Sequence, residues 1–136
     1  MTTVLFACVH NAGRSQMAAA FFNQIADPSK ARAISAGTVP GSRVHADVID
    51  AMRERALDLS TAVPTKLTPE LARQAQVLIT MGCGDACPFL PGARREDWTI
   101  DDPQGKPQTR VREIRDEIQR RVERLIDREG WRRSMP

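Results

Sequence analysis

Residues 3–7, Thr-Val-Leu-Phe-Ala, form a short apolar run, and residues 16–22, Gln-Met-Ala-Ala-Ala-Phe-Phe, read as a helix. Between them lies Cys8-Val9-His10-Asn11-Ala12-Gly13-Arg14-Ser15, so a cysteine, five intervening residues and an arginine occupy a strand-to-helix turn. A buried strand that feeds directly into a helix constrains the chain toward a parallel α/β sheet. It also has a chemical consequence. Backbone N–H groups of such a turn and of the open first helical turn converge on one spot, which suits a tetrahedral oxyanion. The guanidinium of Arg14 can clamp that anion in a bidentate fashion, and the same positive field favours the thiolate of Cys8. One loop can therefore bind an anion and attack it. Taken singly, Cys8 would read as a small buried residue and Arg14 as a surface charge; the strand, loop and helix together favour the functional reading.

The rest of the chain repeats the alternation. Asp27-Pro28-Ser29 breaks the first helix, residues 31–36 form a second strand ended by Gly37, and a helix is expected from about Val44 to Arg55. Thr68-Pro69-Glu70 has the signature of an N-cap followed by proline at the first helical position. Residues 76–81 read as a central strand, and Trp98-Thr99-Ile100 as a fourth. The last element is a helix over about 109–129, with Val111, Ile114, Ile118, Val122, Leu125 and Ile126 on one stripe and Gly130 as its stop. In such sheets ligands sit beyond the carboxyl ends of the strands. The loops that follow strands one, three and four contain Cys8, Cys83 with Cys87, and Asp102, so three thiols and a carboxylate are expected around one site.

Composition excludes several classes. With 136 residues the expectation is one domain over 1–136. No apolar run is long enough to span a bilayer and no export signal is visible, so a cytoplasmic protein with no membrane contact is expected. Three cysteines, an odd number, argue for thiol or metal chemistry rather than a disulfide framework. The net charge of +3 does not point to nucleic acid: residues 109–136 hold nine Arg and six acidic residues, which accounts for the whole excess on one ion-paired helix. Cys83 and Cys87 fall within zinc-ligand spacing, but His10 and His45 are the only histidines and neither is well placed, so no metal is expected. The pair reads either as inert buried residues or as a relay, in which a second thiol takes over a disulfide formed by the first.

The octapeptide from Cys8 to Ser15 resembles the phosphate-binding loop of the low-molecular-weight protein tyrosine phosphatase superfamily, including its arsenate reductase branch. The similarity runs from residue 3 to about residue 128. It implies a doubly wound sheet of four parallel strands in the order 2-1-3-4 with helices on both faces. Asp102, just before Pro103, resembles the superfamily's general acid; a carboxyl held by a proline-stiffened loop can protonate a departing oxygen. Residues 81–88 and 98–103 are similar to the arsenate reductase branch, and the three-residue gap between Cys83 and Cys87 resembles a three-cysteine, thioredoxin-coupled subgroup. Phosphatases acting on phosphotyrosine tend to carry an aromatic residue after Asp-Pro, where this chain has Gln104 and no tyrosine anywhere.

The resemblance implies arsenate reduction with arsenate or phosphate held by the amides of Val9, His10, Asn11, Ala12, Gly13 and Arg14. Cys8 attacks, Ser15 donates to its thiolate, Asn11 shapes the loop, and a Cys8–Cys83–Cys87 relay passes oxidation to an external donor, thioredoxin ahead of mycothiol or glutathione systems. No bound cofactor is implied, and the assembly is expected to be a monomer or homodimer. The alternative is a phosphatase working through a Cys8 phosphoenzyme.

Overall fold

A computed structural model describes residues 1–82 and 92–134. Four parallel strands, β1 (Thr2–Cys8), β2 (Ala31–Gly37), β3 (Val77–Thr80) and β4 (Arg94–Asp97), form one sheet in the order β2-β1-β3-β4. Among the described residues four helices accompany them: α1 (Arg14–Ile25), α2 (Ala46–Arg53), α3 (Pro69–Ala72) and α4 (Gln108–Glu129). The strand order and the helical layers are those the resemblance implies.

β1 is central, with β2 and β3 as neighbours, and is therefore buried on both faces; its side chains are apolar without alternation for that reason. Val4, Phe6 and Cys8 point to the larger core, built with α1, α2 and α4, whereas Leu5 and Ala7 point to a smaller one beneath α3. The stripe of α4 from Val111 to Ile126 is almost wholly buried, and Gly130 ends that helix in the left-handed conformation that glycine adopts without penalty. Thr68 caps α3 by accepting the Leu71 N–H at 3.2 Å, with Pro69 following as expected. Arg115, nearly buried on α4, donates to the Ala51 carbonyl and to Glu54, tying α2 to α4; with Arg112 it holds the Glu54 carboxyl at about 2, below its ordinary value. No helix among the described residues is long and apolar enough to cross a membrane.

Two boundaries differ from expectation. The fourth strand is Arg94–Asp97, not Trp98–Ile100. An edge strand is held by its backbone ladder and tolerates the polar side chains of Arg-Arg-Glu-Asp. The apolar alternation of residues 98–100 instead records packing just past the ladder, where Trp98 lies 5.7 Å from Phe6 ring to ring. Helix α2 begins at Ala46, and Val44 is buried in the loop ahead of it.

The carboxyl ends of β1, β3 and β4 lie along one sheet edge, which brings together the segments that start at Cys8, Met81 and Trp98. Cys83 and Cys87 lie outside the described residues.

Candidate active site

The loop after β1 is fixed from outside. The carbonyls of Cys8, Val9, His10 and Ala12 accept from the N–H groups of Thr38, Val39, Gly41 and His45, at 3.1, 2.8, 2.9 and 3.0 Å. With these oxygens turned outward to the β2–α2 connection, the Asn11 N–H points inward, to the Cys8 sulfur. Gly13 carries no side-chain cap for α1, so the first-turn amides of that helix are also open toward the same spot. Such an arrangement can serve as a cradle for a tetrahedral anion, with the Cys8 sulfur beside it. Cys8 is buried and is a free thiol.

The sulfur is surrounded by donors. Cys8 Sγ lies 2.8 Å from Ser15 Oγ and accepts the Asn11 N–H at 3.2 Å. Asn11 is fully buried at φ 49°, in the left-handed region that asparagine tolerates better than most residues, and its Nδ2 donates to Ser15 Oγ at 2.7 Å. Gly37 backs this loop: a Cβ there would lie 2.6 Å from the Val9 carbonyl oxygen and 2.8 Å from Asn11 N.

Arg14 is nearly buried at the cradle's side. Its Nη1 donates to the Ile100 carbonyl at 3.1 Å, and its Nη2 lies 3.7 Å from Asp102 Oδ2. Gly82, at φ 107°, presents bare backbone to the guanidinium; a Cβ would fall 2.4 Å from Nη1. Asp102 is half-exposed over the mouth, its Oδ1 accepting from the Gln104 N–H at 3.0 Å. The adjacent carboxylates are thereby told apart. Asp101 turns away to pair with Arg110 at 2.6 Å, which holds its carboxyl below the ordinary value. Pro103 packs on Gly13, where a Cβ would meet its Cγ at 3.2 Å.

Beside the loop a cleft of about 250 Å³ is lined, among the described residues, by His10, Ala12, Gly41, Ser42, Arg43, His45 and Gln104. His10 Nδ1 is 3.0 Å from the Val39 carbonyl oxygen, which ties it to the loop brace. Among the described residues no three His, Cys, Asp or Glu side chains converge as a metal site would need.

The structure thus brings Cys8, Asn11, Arg14, Ser15 and Asp102 together around one cradle; the expected partners Cys83 and Cys87 are not among the residues it describes. Sequence reasoning missed Gly37, Gly82, Gln16, Thr65 and Arg110. Gly37 ends β2 and Gly82 lies two residues past β3, a signal that could have been read as close backbone approach; the other three carry no local signature.

A turn that presents backbone amides and a thiol to an oxyanion, set on a parallel sheet in the order 2-1-3-4, defines a family of cysteine-dependent phosphotransfer and redox proteins. The model of the low molecular weight phosphotyrosine protein phosphatase family matches residues 3–132, and the chain belongs to that family. It is 36% identical, over 90% of its length and 89% of the other's, to a putative arsenate reductase of Halobacterium salinarum. It superposes on the thioredoxin-dependent arsenate reductase Cg_ArsC1' of Corynebacterium glutamicum with a TM-score of 0.81 and 40% identity, covering 93% of this chain but 61% of that one. A structure described as an arsenate reductase in the phosphate binding state gives a TM-score of 0.76 at 32% identity, covering 94% of this chain and 98% of that one.

Proposed function

We propose that this protein reduces arsenate to arsenite through Cys8 and hands the resulting disulfide to a thioredoxin-like donor. The observation that carries the reading is a buried Cys8 sulfur held between Ser15 and the Asn11 N–H, with Gln104 rather than an aromatic residue after Asp102-Pro103, in a chain similar along nearly its whole length to proteins named arsenate reductases.

Arsenate docks on the amides of residues 9–14 and on Arg14. The Cys8 thiolate attacks arsenic and forms an S–As bond, while Asp102 gives a proton to the departing oxygen, which leaves as water. The Cys83 thiolate then attacks Cys8 Sγ; the Cys8–Cys83 disulfide forms, the S–As pair returns to arsenic, and As(V) leaves as As(III). Cys87 attacks Cys83, freeing Cys8 as a thiolate and leaving Cys83–Cys87 for reduction by an external dithiol. Two electrons leave two thiols and two reach arsenic. The scheme needs no bound cofactor.

The cradle suits phosphate equally well, since the two oxyanions share shape and charge, so slow hydrolysis of phosphomonoesters through a Cys8 phosphoenzyme is expected alongside. The test is arsenite production with thioredoxin, thioredoxin reductase and NADPH for the parent, Cys8→Ser, Cys83→Ser and Cys87→Ser, beside hydrolysis of p-nitrophenyl phosphate. Cys8→Ser should abolish both activities, and Cys83→Ser should abolish arsenate turnover while sparing the hydrolysis. Equal loss of both in Cys83→Ser, or retention of both, would overturn the relay.

A further inference from the structure

Gln16 has no part in the chemistry above, yet it is buried one residue past Ser15 on the first turn of α1. Its Nε2 lies 3.1 Å from Asn11 Oδ1, 3.2 Å from the Asn11 carbonyl oxygen and 3.4 Å from the Val63 carbonyl oxygen. Three oxygens around one nitrogen fix the orientation of that amide, because the flipped form would set oxygen against oxygen. Asn11 is fixed in turn. Its Oδ1 accepts from Gln16 and from the Thr65 N–H at 2.8 Å, which leaves Nδ2 to donate to Ser15 Oγ. Ser15 has one proton, and among the described residues Cys8 Sγ is the acceptor within its reach. The sulfur therefore receives from Ser15 Oγ and from Asn11 N, the pattern that favours a thiolate.

We propose that Gln16 is a positioning residue for Cys8: its side-chain amide, with the Thr65 N–H, holds Asn11 in the left-handed conformation and the orientation from which Asn11 and Ser15 donate toward the sulfur. The proposal rests on the reading of Cys8 as the attacking thiolate. Without the Gln16 donor the Asn11 and Val63 carbonyls lose a partner, and the Asn11 amide is freer to turn its oxygen toward Ser15. The hydroxyl proton would then point to Asn11 rather than to sulfur.

The test is site-resolved alkylation of Cys8 by iodoacetamide as a function of pH, read by peptide mass spectrometry. Gln16→Met keeps the bulk and removes the donor; Gln16→Glu keeps the shape and replaces the donor by an acceptor. Both should slow alkylation below neutral pH, so that at pH 6 Cys8 reacts roughly tenfold more slowly than in the parent, with little difference at high pH. Ala20→Gly, which weakens α1 away from this network, should leave the curve in place, separating positioning from loss of stability. A second measurement uses the parent alone: the side-chain amide protons of Gln16 should exchange with D2O at least about a hundredfold more slowly than those of the exposed Gln104, as expected for a buried, bonded amide. Curves of the two variants that superimpose on a fast-reacting parent would overturn this proposal and leave the proposed function standing. A parent Cys8 that reacts like an ordinary thiol would overturn both. Rapid exchange at Gln16 would overturn the positioning role whether or not the variants fold.

Discussion

The two walls of the cradle are held in opposite ways. The loop from Cys8 to Ser15 is buried except at Val9 and His10, and its outward carbonyls are pinned by backbone N–H groups of the β2–α2 connection. The turn carrying Asp102 is half-exposed and leans on a surface ion pair, Asp101 with Arg110, and on one backbone bond from Gln104. Backbone hydrogen bonds in a buried setting are insensitive to salt, whereas exposed ion pairs are screened and add little. The loop that carries Cys8 is therefore the rigid wall, and the turn that carries Asp102 is the adjustable one.

The sharpest challenge to that contrast is Gly37→Val. The new side chain starts 2.6 Å from the Val9 carbonyl oxygen, with backbone rather than a flexible side chain in its way. It should cost about 1–3 kcal/mol of stability in urea melts. Phosphate binding by calorimetry should weaken by roughly a hundredfold or more, since the amides no longer converge. Unchanged binding would mean the loop forms its cradle without the brace.

Gly82→Ala should come next. A Cβ there displaces the Arg14 guanidinium and forces a non-glycine residue to φ 107°. Phosphate affinity should drop by about tenfold to a hundredfold, the worth of one charge-assisted contact, while Cys8 alkylation by a neutral reagent changes much less. A parallel loss of both would show that the guanidinium and the sulfur are not held independently.

The smallest effect belongs to the turn that carries Asp102. Arg110→Ala should lower arsenate turnover by less than about fivefold at low salt, and 0.5 M NaCl should reduce the parent toward the variant. The pair also has a defined pH window. The Asp101 carboxyl is held below its ordinary value by Arg110, so its contribution is complete above the unfolded value near 3.9 and is lost as pH falls through the lower folded value. Acid melts of parent and Arg110→Ala should thus converge as pH falls through that lower folded value. A gap that widens there would show that Asp101 is not the group Arg110 serves.

Much of this was legible in the chain. The apolar run before Cys8, the helix after it and the stripe from Val111 to Ile126 are local patterns, and they imply the parallel sheet before any contact is known. Trp98-Thr99-Ile100 shows where that reading fails: alternation reports burial, and here burial belongs to packing on Phe6 rather than to the ladder, which uses Arg94–Asp97. Asp101 and Asp102 could be ranked from the proline that follows, but their opposite directions required the positions of Arg110 and Arg14.

The sequence by itself determined that a thiol and an arginine share a strand-to-helix turn, because adjacency along the backbone needs no tertiary information. It also determined the family, since the octapeptide and its surroundings resemble that family along most of the chain. Only the tertiary structure decided how the turn is braced. Thr38 to His45 meet the loop carbonyls, Thr65 meets Asn11, and Gly82 meets Arg14 across separations of 25 residues and more, through backbone groups and bare glycine faces. Every residue carries the same backbone groups, so no side-chain pattern announces where they will meet; the fold alone brings them into register.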